Sequence, residues 1–187
     1  MLYYNMNGPN QYGLGQQFNV FQEYLTANKE ECKQVRRQQS GSDHTTWRPP
    51  PEGFYKANVD ASWVNHLQQA SMGLILRDQQ GDLKFGEARR YWAPTVLIAE
   101  AIALREGIIT AASLGIPKII VESDNLSLIK ACRKEIQVLE ILPIVKDIQQ
   151  LRDQFQAIGF TWTRRASNKA THMVAKLDQE NNLASRW

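Results

Sequence analysis

The spacing of apolar residues along this chain changes from that of strands to that of helices near Val96. Ahead of this point, strands are predicted at residues 54–62, 72–77 and about 82–91. Asp78-Gln79-Gln80-Gly81 separates the last two strands and is typical of a tight turn, so we expect these strands to form a hairpin. The first half of the fold is therefore predicted to be an antiparallel meander of three strands.

After Val96, helical and strand segments alternate along the chain. Helices are predicted at 96–114, about 125–133, about 141–155 and from Ser167 or Asn168 onward, and strands at 118–122 and 158–163. The continuous apolar run Ile119-Ile120-Val121 is typical of a strand that is covered on both faces. A meander followed by alternating helices and strands indicates the α/β class, with a mixed sheet flanked by helices.

The folded domain is expected to cover residues 47–180. Residues 1–46 are rich in Asn and Gln and are predicted to be a partly disordered tail, in which a short helix over 18–38 is the one ordered element that the pattern allows. Trp47-Arg48-Pro49-Pro50-Pro51 marks the boundary, because proline fixes φ and bars a helix. Residues 181–187 are expected to form a C-terminal tail.

The composition is that of an ordinary globular protein, with 43% hydrophobic and 22% charged residues. No run approaches the ~18 apolar residues of a membrane helix, and no signal-peptide pattern is present, so we expect a soluble, intracellular monomer without a membrane partner. Cys32 and Cys132 lack the Cys-x-x-Cys spacing of a zinc site and are predicted to be free thiols. The net charge of +3 is too small to indicate a nucleic-acid partner by itself.

Asp60, Glu100 and Asp124 stand where this order of elements can bring three carboxylates together. Asp60 lies at the polar end of the first strand, Glu100 in the first turns of an apolar helix, and Asp124 where a buried strand passes into a helix. Each has an ordinary explanation on its own: Asp60 as a turn residue, Glu100 as a complement to the helix dipole, and Asp124 as an N-cap. Together they predict a metal site, because converging carboxylates repel one another unless a divalent cation joins them.

Five segments of the chain resemble, in this order, the ribonuclease H-like superfamily, and within it the plant reverse-transcriptase-like group related to non-LTR retroelements. They are Asn58–Ser62, Met72–Asp78, Ala99–Leu104, Val121–Asn125 and Asn168–Lys176. The resemblance covers the chain from Trp47 to about Leu177. It implies a five-stranded mixed sheet, made of a three-strand antiparallel meander and two parallel strands, with helices on both faces.

The resemblance also implies an activity, the hydrolysis of the RNA strand of RNA–DNA hybrids to leave a 3′-hydroxyl and a 5′-phosphate. Asp60, Glu100 and Asp124 would hold two Mg²⁺ ions about 3.5–4 Å apart, with Asp60 bridging them. His172 stands at the position of the family's fourth carboxylate, and imidazole suits Mn²⁺ better than Mg²⁺. His172 would be a catalytic general base or proton shuttle, or else a solvent-facing helix residue, since the apolar stripe of that helix passes beside it.

The resemblance further implies contacts with nucleic acid. Arg164, Arg165 and Lys169 would bind the phosphate backbone and Trp63 would stack on a sugar or base, with an ordinary solvated loop and a core or surface Trp as the alternative. The full set of candidate contacts is Asn58, Ala61, Ser62, Trp63, Arg164, Arg165, Asn168 and Lys169. Residues 163–167 lack the His that cellular ribonuclease H enzymes carry before the last helix. A weak or inactive nucleic-acid-binding module and a protein-interaction scaffold therefore stay open as alternatives.

Overall fold

A computed structural model describes residues 47–181 and 185–186 of the chain. Its single sheet has the strands β1 (Tyr55–Val64), β2 (Gln69–Arg77), β3 (Leu83–Trp92), β4 (Lys118–Ser123), β5 (Ala157–Trp162) and β6 (Ser185–Arg186), in the order β5-β4-β1-β2-β3-β6. β1, β2 and β3 pair antiparallel, whereas β1, β4 and β5 pair parallel. The predicted fold class is confirmed. The two-residue β6, which pairs antiparallel with β3, is an addition that lies in the predicted C-terminal tail.

Within the described residues, four α-helices pack on this sheet or on one another. They are α1 (Val96–Ser113), α2 (Leu126–Cys132), α3 (Leu142–Leu151) and α4 (Lys169–Asn181). α1 packs on β1 and β2 and also contacts α3, whereas α4 packs on the other face, over β1, β2 and β3. The core between the sheet and α1 is built from the residues that alternate on β1, among them Ala57 and Val59, and from Leu104 and Ile108. The period change near Val96 therefore marks the junction between the meander and its first covering helix.

Two glycines let the helices approach the sheet closely. A Cβ atom at Gly73 of β2 would lie 2.4 Å from the backbone oxygen of Thr171 in α4. On the other face of the sheet, which α1 covers, a Cβ atom at Gly107 would lie 3.0 Å from the Val59 side chain. Because Gly73 is the partner of Asp60 in the β1–β2 ladder, the close approach at Gly73 brings α4 directly over the predicted metal ligand.

The polar face of β1 is buried in this fold. The Lys56 ammonium lies 2.8 Å from a carboxylate oxygen of Glu122 on β4, and the Asn58 amide donates to the other oxygen at 2.9 Å. The Trp47 indole N–H donates to the Asn58 side-chain oxygen at 2.8 Å. These bonds satisfy the buried polar groups and attach the first described residue of the chain to the centre of the sheet.

Some predictions fall outside the described residues, including the helix over 18–38 and the thiol state of Cys32. Cys132 is buried and forms no disulfide, as predicted. The domain limits at residues 47 and 180 stay a prediction. Among the described residues, no helix is both long enough and apolar enough to cross a membrane.

Candidate metal centre

Asp60 sits in the middle of β1, under α4. Asp60 is only 2% exposed, because the strand is covered by α1 on one face and by α4 on the other. One of its carboxylate oxygens lies 2.7 Å from Nδ1 of His172. The preceding backbone carbonyl, that of Val59, accepts a hydrogen bond from the Asn168 amide at 3.0 Å, which ties β1 to the start of α4.

Glu100 is placed by the first turn of α1. Thr95 caps this helix, since its hydroxyl accepts the backbone N–H of Ile98 at 3.2 Å. The Tyr91 hydroxyl of β3 donates to the Ala99 carbonyl at 2.7 Å and so fixes the residue before Glu100. Glu100 itself is buried, and its Oε2 atom has no hydrogen-bond partner within the protein. A buried carboxylate oxygen without a partner is costly, so this atom points to a missing ligand.

Asp124 follows β4 and precedes α2. The N-cap of α2 is Asn125 and not Asp124, because the Asn125 side chain accepts the backbone N–H of Leu128 at 3.0 Å. The explanation of Asp124 as a simple cap is therefore wrong, and its carboxylate is free to face Asp60. The Trp162 indole N–H at the end of β5 donates to the Asp124 backbone carbonyl at 3.0 Å.

The three carboxylates converge as predicted. Asp60, Glu100 and Asp124 each offer one oxygen, and these oxygens all lie within 4.8 Å of one another. Three carboxylates, one of them with an unpartnered oxygen, are a donor set of the kind that hard divalent cations such as Mg²⁺ prefer. The residues present therefore fit a divalent metal.

The electrostatics of the cluster agree with this interpretation. Burial, and next the charge of Asp124, raise the pKa of the Asp60 carboxyl to about 6, although the hydrogen bond from His172 opposes the shift. Burial and the neighbouring Asp60 and Asp124 likewise raise the pKa of Glu100 well above its usual value. Without a cation the cluster thus resists full ionisation, and a divalent cation would relieve both the burial cost and the mutual repulsion.

His172 faces the carboxylates and is not a solvent-facing residue of α4. Its side chain is 30% exposed, and Nδ1 lies 2.7 Å from Asp60 and 3.5 Å from the guanidinium of Arg165. Arg165 in turn places its Nε atom 3.9 Å from the Asp124 carboxylate. His172 and Arg165 therefore lie on the solvent side of the cluster. His172 is the residue at which the resemblance places the family's fourth carboxylate.

The remaining candidate contacts divide into buried and exposed sets. Asn58 and Asn168 are each only 1% exposed and bond within the fold, so neither presents its side chain to a ligand. Ala61 is buried and Ser62 is half-buried. Trp63 is half-buried and packs against the core, and its indole N–H donates to the Ala93 carbonyl; its role as a stacking surface stays a prediction.

The basic candidates Arg164, Arg165 and Lys169 are exposed beside the cluster, as expected for residues that bind a phosphate backbone. The sequence interpretation missed Trp162, whose bond to Asp124 brings an exposed aromatic ring to the same edge. The only signal for it was its position near the end of the strand predicted at 158–163, two residues before Arg164.

Comparison with known protein families gives a match over residues 58–178, more than half of the chain, to the model described as reverse transcriptase-like. The chain belongs to the reverse transcriptase-like family. Its fold is ribonuclease H-like, as the five sequence segments imply. Comparison with curated proteins finds no significant match.

Solved structures of ribonuclease H share this family member's fold. Ribonuclease H1 from Halobacterium salinarum is 18% identical, with a TM-score of 0.65 over 68% of this chain and 98% of that protein. The N-terminal ribonuclease H domain of a Mycobacterium tuberculosis protein is 19% identical, with a TM-score of 0.62 over 68% and 94%. LC11 ribonuclease H1, solved in complex with an RNA/DNA hybrid, is 12% identical, with a TM-score of 0.62 over 70% and 99%. At these identities the likeness shows the fold.

Proposed function

We propose that this chain is a metal-dependent endonuclease that hydrolyses the RNA strand of RNA–DNA hybrids. The observation that carries the proposal is the convergence of Asp60, Glu100 and Asp124, whose oxygens lie within 4.8 Å of one another around the unpartnered Glu100 oxygen. Membership of the reverse transcriptase-like family supports it. So does the RNA/DNA hybrid bound by LC11 ribonuclease H1, a protein of the same fold.

The three carboxylates would hold the metal, Mg²⁺ or Mn²⁺, as two ions. When bound, the ions supply the charge that stabilises the departing oxygen and lowers the pKa of the attacking water. Asp60 and Glu100 form the buried floor of the site, and His172 and Arg165 lie on its more exposed side. Arg164, Arg165 and Lys169 hold the phosphate backbone against this side.

A cleavage assay tests the proposal. The chain is incubated with an RNA–DNA hybrid labelled on the RNA strand, in Mg²⁺ or in Mn²⁺, and compared with the Asp60→Asn variant. Asp78→Asn is the matched control, because Asp78 lies in the β2–β3 turn and its carboxylate is bonded to Lys84, away from the cluster. We expect cleavage by the unsubstituted chain and by Asp78→Asn, and none by Asp60→Asn. Equal background in all three proteins would refute the proposal.

One observation favours a second function, that of a nucleic-acid-binding module that does not cleave. Nδ1 of His172 lies 2.7 Å from one carboxylate oxygen of Asp60, and His172 stands at the position where the family carries a fourth carboxylate. If this is why Mg²⁺ is held weakly, His172→Asp should raise cleavage in Mg²⁺ and restore a fully acidic ligand set. Binding of hybrids with a steep salt dependence but without cleavage would favour the binding function, and no gain from His172→Asp would argue against metal loss as its cause.

A further inference from the structure

Trp162 joins the end of β5 to the carboxylate cluster. It pairs with Ser123 in the β4–β5 ladder, one residue before Asp124. Its indole N–H donates to the Asp124 backbone carbonyl at 3.0 Å. The bond uses the single polar atom of the side chain, so the orientation of the ring is set beside a predicted metal ligand.

The ring of Trp162 is 41% exposed, although the apolar residue two positions earlier on the same strand face, Phe160, is buried in the core. A large aromatic side chain that remains this exposed is therefore not explained by core packing. Arg164 and Arg165 follow within three residues and are exposed as well, and the guanidinium of Arg165 lies near Asp124 and His172. An exposed aromatic ring next to basic side chains is the combination by which proteins bind unpaired nucleotides.

We propose that the indole of Trp162 is a stacking surface for an unpaired nucleobase next to the duplex that the carboxylate cluster binds. The inference rests on the proposed function, and it adds a substrate preference to it. Bases inside a duplex, including the paired base at a blunt end, are already held by their pairing and stacking partners, so the exposed indole of Trp162 is expected to receive an unpaired base. The chain is therefore expected to prefer hybrids that carry a single-stranded extension over blunt-ended hybrids.

The hydrogen bond and the ring have separable roles. Trp162→Phe removes the N–H that holds the Asp124 carbonyl but keeps an aromatic face, whereas Trp162→Leu removes both. The two variants should therefore lose the same part of the Mn²⁺-induced rise in melting temperature, because both release Asp124. They should differ only in the preference for an unpaired base. Trp92 supplies the matched control, because it is 62% exposed but lies on β3, at the other side of the sheet from β5.

Binding is measured with the full chain carrying Asp60→Asn, so that the probe stays intact. The probes are one labelled RNA–DNA hybrid with a short single-stranded DNA extension and the same hybrid with blunt ends. We expect the extended hybrid to bind about 10-fold more tightly, as one base–aromatic stack supplies. This preference should persist in Trp162→Phe and Trp92→Leu and disappear in Trp162→Leu.

Three outcomes would overturn the inference: equal affinity of the starting protein for the two hybrids, an unchanged preference in Trp162→Leu, or an equal loss in Trp162→Phe and Trp162→Leu. Failure of the nuclease function is a separate result, because it appears as a lack of cleavage when Asp60 is present. A chain that binds extended hybrids through Trp162 without cutting them would keep the stacking surface and refute the nuclease.

Discussion

Replacing Asp60 with Asn is expected to stabilise the metal-free protein at neutral pH. Asp60 is almost fully buried, and burial together with the charge of Asp124 raises the pKa of its carboxyl from 3.8 to about 6. Since ionisation is harder in the folded than in the unfolded chain, its cost to stability is absent below about pH 4 and complete above about pH 6. A shift of this size lowers the unfolding free energy of the unsubstituted chain by about 3 kcal/mol at neutral pH. Asn does not ionise, so the Asp60→Asn variant does not suffer this loss.

Urea unfolding in the presence of EDTA measures this difference. The unfolding free energies of the unsubstituted chain and of Asp60→Asn should be similar near pH 4, and the variant should become the more stable protein as the pH rises to about 7. Asp78→Asn is the control, because its effect on the unfolding free energy at neutral pH should have the opposite sign. The backbone N–H groups of Gln80 and Asp82 and the Lys84 ammonium bond the Asp78 carboxylate, and the bonds lower its pKa. Asp78→Asn should therefore be less stable than the unsubstituted chain at neutral pH, with the loss shrinking as the pH falls through the lowered pKa.

Addition of metal should reverse the order of the two proteins. At a Mn²⁺ concentration about 1,000-fold above the dissociation constant, linkage stabilises a protein with an intact site by about 4.1 kcal/mol, which exceeds the difference of about 3 kcal/mol that favours Asp60→Asn without metal. Asp60→Asn lacks one ligand and should gain much less. The reasoning is refuted if Asp60→Asn is the less stable protein at neutral pH in EDTA, because burial of an ionised Asp60 would then not oppose folding.

Three further substitutions, the first paired with a control substitution, test the fold and the nucleic-acid contacts. Gly73→Ala should lower the unfolding free energy by about 3 kcal/mol, because its Cβ would meet the Thr171 backbone oxygen, whereas Gly159→Ala, where nothing lies within 4 Å, should be close to neutral in the same urea titration. Asn125→Ala should cost about 1 kcal/mol in thermal unfolding by removing the cap of α2, and a neutral result would show that the cap is not needed. Arg164→Ala should lower hybrid affinity and reduce the slope of log affinity against log salt by about 1, and an unchanged slope would exclude a phosphate contact.

The strands could be predicted from short-range patterns. Alternation of apolar residues identified β1 to β3, and the change of period identified α1. The carboxylate cluster was predicted from the order of the elements and from the resemblance, since Asp124 follows a buried strand, where ligand sites of α/β sheets collect, whereas Asp60 lies within β1 and Glu100 on α1. β6 could not be predicted, since two residues carry no period.

The orientation of individual side chains depended on contacts that no local pattern records. Asn58 and Asn168 carry the amide groups expected of nucleic-acid contacts, but Glu122 and the Val59 carbonyl, both distant in sequence, bind those amides. The direction of His172 depends on the rotation and depth of α4, which the close approach at Gly73 sets. For the same reason the sequence could not show which tryptophan remains exposed near the carboxylates.

The three carboxylates share a means of support that links the fold to the site. In each case a distant side chain binds a backbone carbonyl at or immediately before the ligand. These bonds run from Asn168 to Val59, from Tyr91 to Ala99 and from Trp162 to Asp124. Each contributes about 1 kcal/mol as a hydrogen bond, but because they fix backbone positions before any cation arrives, the cluster does not have to be assembled by the metal. Metal affinity in this chain should therefore depend on Tyr91 of β3, Trp162 of β5 and Asn168 just before α4, which are not among the three carboxylate ligands.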